Sequence, residues 1–172
     1  MMQDFLTLYK LIILYILSRV DFPLTKTQIS DFMLEKEFTN SFLTIQQAMN
    51  QLIEDGFVTA CPIRNRTQLS ITPEGRETLK FFQNQINYGL REDIDAFLKE
   101  NEFRLRDETS ILSDYTRVSS GEYDARLVAK DKGITLVDIT LSVPLEETAA
   151  AICDNWHIKN QEIYQYLIGQ LF

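Results

Sequence analysis

Leu11 to Leu17 form an unbroken apolar run, LIILYIL, inside a segment from Phe5 to Arg19 that holds no helix breaker. Consecutive apolar positions of this kind predict a helix buried on most of its sides. Asp21-Phe22-Pro23 ends it, because the residue before a proline avoids the α region. Thr25-Lys26-Thr27-Gln28 then has the form of a capping box, in which side chains satisfy the free donors at a helix start. With Ile29, Phe32 and Met33 at helical spacing, it predicts a second helix over about 26–35. Glu37 to Phe42 reads as a polar connection with room for a very short strand. Thr44-Ile45-Gln46-Gln47 has the form of a second capping box. Ile45, Ala48, Met49, Leu52 and Ile53 make one apolar stripe behind it, and Gln46, Gln47, Asn50 and Gln51 occupy the opposite face. Asp55-Gly56 stops this third helix.

A different period follows. Phe57 to Ile63 reads as a strand, Arg64-Asn65-Arg66-Thr67 as a short basic turn, and Gln68 to Thr72 as an alternating, half-buried strand. Pro73 opens a fourth helix, to about Asn84, with Thr72 as its N-cap and Glu74 and Glu77 in its first turn. Asn87-Tyr88-Gly89 interrupts, and Leu90 to Glu100 resumes helical spacing through Ile94, Phe97 and Leu98. From Phe103 the pattern shifts. Ser110–Ser119, Glu122–Lys130 and Ile134–Val143 read as an antiparallel meander, the last strand carrying one slip at Val137-Asp138. Pro144 starts a helix to about Trp156, and a final helix covers about Lys159 to Leu171.

The fold class is therefore α+β. Helix, helix, helix, strand, basic turn, strand, helix is the order of a winged helix-turn-helix, assigned to residues 1–85. A helical linker and a small antiparallel sheet with packed helices, for dimerisation or effector binding, occupy 86–172. The stretch LIEDGFV…LSITPEGRETLKFF resembles the MarR- and PadR-like winged-helix regulators, where a D/E-G-hydrophobic turn ends one helix and the second wing strand runs into T-x-x-G-R. LTKTQISDF matches the positioning helix of those families. The chain also resembles an uncharacterised bacterial family of predicted winged-helix regulators with an acidic C-terminal half, through FFQNQINYGLREDI and ICDNWHIKNQEIY. The likeness to MarR- and PadR-like regulators implies a winged helix that binds DNA, and the second likeness implies the fold more than the activity.

Charge sharpens the division. The net charge is −8, which is unusual for a DNA binder, but residues 1–85 carry 8 Lys/Arg against 9 Asp/Glu and residues 86–172 carry 9 against 16. The acidity thus belongs to the second half, and the first half is free to hold a local basic surface. A composition 45% hydrophobic and 24% charged excludes a disordered chain. Cys61 and Cys153 are in no metal-ligand spacing and read as reduced thiols of a cytoplasmic protein. His157 is the single histidine, so no metal, cofactor or catalytic site is expected. Cys153 and His157, at i and i+4, read as a packed thiol beside a helix-terminal imidazole. The run 11–17 is too short for a membrane span, and no basic n-region or small-residue cleavage site marks a secretory signal.

Chemistry for double-stranded DNA concentrates in three places. Gln46, Gln47, Asn50 and Gln51 present amides, which can bond bidentately to adenine N6 and N7 in the major groove. Arg64, Asn65, Arg66 and Thr67 at the wing tip suit phosphates or the minor groove. Thr25, Lys26 and Thr27 open a helix whose N-terminal amides suit a phosphate, and Ser41 and Thr44 add hydroxyls. With so few cations per subunit a monomer binds weakly, so a homodimer is expected. Its surface is placed on the first helix (Tyr9, Ile12, Ile13, Tyr15, Ile16) and on Ile94 and Phe97. A small-molecule effector has no motif to support it. The competing expectation is a non-enzymatic adaptor that uses a winged-helix scaffold to bind protein.

Overall fold

The computed structural model describes residues 4–39, 41–63 and 66–172. Among them, six α-helices and two three-stranded antiparallel sheets make an α+β protein. Two compact units divide it, Met1–Arg106 and Asp107–Phe172.

In the first unit, α1 (Phe5–Ser18) is capped by Asp4, whose carboxylate accepts the Leu6 N–H. Every residue from Leu11 to Leu17 is buried. At roughly 1.5–3 kcal/mol for each large apolar side chain, this helix supplies a major part of the unit's hydrophobic stabilisation. β1 (Leu24–Thr25) leads into α2 (Lys26–Glu35). The capping box forms as expected: Thr25 Oγ1 accepts the Gln28 N–H at 3.0 Å, and Gln28 Oε1 accepts the Thr25 N–H at 2.9 Å. The short strand expected in 37–42 lies instead at β1, which pairs with Leu69 and Gln68. Residues 36–38 wind off α2, with Glu37 at φ 55° and the Phe38 ring edge-on to Phe32.

α3 (Phe42–Glu54) starts two residues before the expected Thr44. Ser41 is its cap and accepts both the Thr44 N–H and the Thr44 hydroxyl, so Thr44 is a donor to the cap and not the cap itself. Ile45, Ala48, Met49 and Leu52 face the core. Gly56, at φ +78°, makes the turn into β2 (Val58–Ile63). β3 (Arg66–Ile71) pairs with it from Val58↔Ile71 to Ile63↔Arg66, giving sheet order β1-β3-β2. Arg66 and Thr67, expected in the turn, are strand residues because pairing continues to that last rung.

α4 (Pro73–Phe82) begins with the expected Thr72 cap and Pro73 at its first position. Thr72 also donates its hydroxyl to the Gly56 carbonyl and its N–H to Phe57, which draws the start of α4 against the turn after α3. Gly75 is buried there: a Cβ at this position would meet the Phe57 carbonyl oxygen. A 3-10 turn at Gln83–Gln85 precedes α5 (Tyr88–Ser110). Asn87 starts α5 by accepting the Gly89 N–H at 2.7 Å, so the expected interruption is a helix cap. The helix runs ten residues past the expected Glu100, because Ile94, Leu98 and Leu105 keep one stripe in the core while Phe103 points to solvent. Tyr15 and Arg19 of the α1 end both donate to Asp95 of α5 at 2.9 Å. Burial, and then the bond to Asp95, raises the Tyr15 hydroxyl above its ordinary pKa.

In the second unit, β4 (Ile111–Arg117), β5 (Tyr123–Asp131) and β6 (Ile134–Val143) form the expected meander. The slip in alternation is a bulge: Ala129 pairs with Val137 and Lys130 with Thr135, leaving Leu136 extra. α6 (Glu146–Leu171) is one helix where two were expected. Trp156 anchors its middle, buried and donating Nε1–H to the Val128 carbonyl at 3.0 Å. Ala149 and Cys153 join it against Ala125, Leu127 and Ala129 of the sheet. On the solvent-facing side, Arg126 clasps Asp138 through two hydrogen bonds.

Gly75→Ala is expected to destabilise the first unit by about 1–3 kcal/mol, the range for forcing atoms into a filled space, as read from the urea midpoint. The Arg126 bond holds the Asp138 carboxyl below its usual pKa. A depressed folded-state pKa adds stability above the unfolded value and loses it as pH falls through the folded one. Asp138→Asn is therefore expected to lower the urea midpoint slightly at pH 7, and the gap from wild type is expected to close as pH falls through and below the ordinary carboxylate range.

Candidate nucleic-acid interface

The core stripe of α3 decides where its other side points. With Ile45, Ala48, Met49 and Leu52 inward, Gln47 and Asn50 are exposed and Gln46 and Gln51 half-buried. Gln46 Nε2 donates to the hydroxyl of buried Ser30 on α2 at 3.3 Å, which ties the two helices together. Asn50 Oδ1 accepts from Lys26 Nζ at 3.0 Å, placing an ammonium from the start of α2 beside the amide face. Glu54, at the far end of that face, is exposed and acidic.

The expected hydroxyl donors divide. Thr27 is exposed. Thr25 is buried, and its oxygen is engaged in the capping box. Ser41 and Thr44 hydrogen-bond each other, so their hydroxyls build the start of α3. On the hairpin, Arg66 is exposed and Thr67 half-buried, while Arg64 and Asn65 lie outside the described residues. Lys36 stands over the Phe97 ring at 5.6 Å. Lys26 and Arg66 are thus the described cations that the α2–α3–hairpin constellation offers a phosphate.

The residues expected at a dimer surface are placed differently from that expectation. Tyr9, Ile12, Ile13, Tyr15, Ile16 and Ile94 are buried in the core of the first unit, and Phe97 stacks on Phe32 with centroids 4.4 Å apart. The helices and sheet of that unit cover Tyr9 and Leu11 to Leu17, so these apolar residues are not a surplus left for a partner.

Other chemistry is sparse. Among the described residues, no group of three or more His, Cys, Asp or Glu is arranged to hold a metal ion. A cleft of about 550 Å³ is lined by Arg19, Asp21, Arg76, Asp95, Lys99 and Glu102. Arg19 and Arg106 engage its three carboxylates. In the second unit, Cys153 and His157 do share one continuous helix. Ser113 Oγ donates to the Cys153 carbonyl at 3.1 Å and lies 3.3 Å from His157 Nε2. Ser113 thus joins the α6 backbone and the imidazole edge in one small polar contact at the sheet–helix junction.

Residues 9–171 match the model of a domain of unknown function, DUF4364. The chain belongs to the DUF4364 family. No curated protein and no solved structure matches it. The family match carries no MarR or PadR assignment. None of the described helices of this DUF4364 chain is long and apolar enough to cross a membrane.

Two exposed residues of the site, Phe42 and Leu43, escape sequence reasoning. The signal was Ser41: a serine cap there places both in the first helical turn. Ser41→Ala is expected to cost about 1 kcal/mol, the usual loss for a serine cap, and to fray that turn. A lowered thermal midpoint, with faster amide exchange at residues 42–45, checks it.

Proposed function

We propose that this DUF4364 protein is a transcriptional regulator that binds double-stranded DNA as a homodimer, through a winged helix-turn-helix in residues 1–85. In this reading α2 and α3 are the helix-turn-helix pair and the β2–β3 hairpin is the wing. The order of three helices and a hairpin supports it, as do the β1-β3-β2 sheet and the likeness of LIEDGFV…LSITPEGRETLKFF to MarR- and PadR-like regulators. The observation that carries it is the outward amide face of α3 with Lys26 hydrogen-bonded to it. The major groove admits one helix whose exposed side chains meet base edges. Lys26, Arg64 and Arg66 meet the phosphates.

Two copies are needed because phosphate neutralisation supplies most of the affinity and each chain offers few cations. Paired half-sites then lie roughly 34–36 Å apart. Contact between copies falls to apolar side chains other than Tyr9, Ile12, Ile13, Tyr15 and Ile16, since these are covered by their own unit. No catalytic step, metal or cofactor enters this function, and its setting is the cytoplasm.

A protein-binding adaptor is the second reading. It is favoured by the acidity of the Asp107–Phe172 unit, with 5 Lys/Arg against 11 Asp/Glu, which suits a basic partner. Retention of random-sequence duplex at low salt separates the two. Wild type is expected to be retained, and each of Lys26→Ala and Arg66→Ala to reduce the salt slope by about 1 per subunit. No retention of wild type, with a stoichiometric protein partner recovered from cells instead, would sink the DNA reading.

A further inference from the structure

The early start of α3 changes what its first turn presents. In helix-turn-helix proteins the N-terminal residues of the second helix meet the base edges. Here those residues include Phe42 and Leu43, which are 56% and 78% exposed and belong to neither hydrophobic core. One and two turns further on, Gln47 and Asn50 are exposed. From Phe42 to Asn50 the helix carries no Arg or Lys.

That combination has a meaning in the donor and acceptor code of the major groove. Guanine is read most often by Arg or Lys on O6 and N7, adenine by Asn or Gln on N6 and N7, and thymine by apolar contact with its C5-methyl. We infer that α3 selects A·T base pairs, with Leu43 and Phe42 against thymine methyls and Gln47 on adenine. The inference rests on the DNA-binding reading above and names its substrate class.

Gln47 is suited to the adenine contact because no hydrogen bond holds its side chain among the described residues, leaving both amide groups available. Asn50 differs: its oxygen accepts from Lys26, so its NH2 is left to donate to a base acceptor such as thymine O4 or adenine N7. Lys26 is the one described cation adjoining the face, and that same bond holds its ammonium at the start of α2. The exposed apolar pair also fits the substrate. Each side chain stands in water in the free protein and is desolvated only when a methyl-bearing groove closes on it.

The experiment is selection of duplexes from a random library by the full-length protein at low salt, followed by affinity measurements on the enriched sequence. Half-sites rich in A·T steps are expected. Replacing one contacted thymine with deoxyuridine removes the methyl and is expected to weaken wild type about fourfold, the transfer value of one buried methyl-sized group. Leu43→Ala should lose less than twofold at the thymine it covers, with an unchanged thermal midpoint because the truncated side chain is exposed. Gln47→Arg should move one selected position toward guanine. Selection of G·C half-sites, or wild-type indifference to deoxyuridine at every thymine, overturns the inference and leaves the DNA-binding function standing. Failure to retain any duplex overturns both.

Discussion

A helix with seven consecutive apolar residues cannot lie on a surface, and the first unit is arranged around that constraint. Leu11 to Leu17 leave α1 no polar side, so it must be wrapped, and α3, α4 and β3 wrap it. Ile94, Leu98 and Leu105 of α5 belong to the same core. The consequence for function is orientation. Because α3 turns Ile45, Ala48, Met49 and Leu52 toward that core, Gln47 and Asn50 have to face out. The placement of the polar face follows from where the apolar stripe goes.

Polar contacts then set the geometry that hydrophobic burial leaves loose. The Thr25–Gln28 box sets where α2 begins and so where Lys26 stands. The Gln46–Ser30 bond ties α3 to α2, and the Lys26–Asn50 bond joins their exposed edges. Thr72 performs a similar service at α4, where it caps the helix and bonds back to Gly56. Gly75 allows that approach, since any side chain would strike the Phe57 carbonyl. Glycine in T-P-E-G-R is thus a packing requirement between α4 and the turn after α3.

The second unit solves a different problem. A three-stranded sheet buries one face against a single long helix, and small residues (Ala125, Ala129, Ala149) let that helix approach closely enough for Trp156 to reach the Val128 carbonyl. The acidity of the chain concentrates in this unit, which carries 5 Lys/Arg against 11 Asp/Glu. A net charge averaged over the chain therefore describes neither unit by itself.

Much of this protein was legible in its sequence because the signals are local. Capping chemistry at Thr25 and Thr72, Gly56 after α3, and the period of 2 in the meander depend only on neighbouring residues. They placed α2, the start of α4 and β4 to β6 to within a residue or two. What the tertiary structure decided is either a choice between two local signals or a matter of residues far apart in the chain. Ser41 competes with Thr44 for the start of α3, and the choice exposes Phe42 and Leu43. Asn155-Trp156-His157 carries no breaker, and α6 stays whole because Trp156 is bonded to a strand 28 residues earlier. The apolar excess of α1 suggested a partner surface, yet the elements that cover it come from as far away as α5. Periodicity reports that a side must be buried, and only the folded chain settles what buries it.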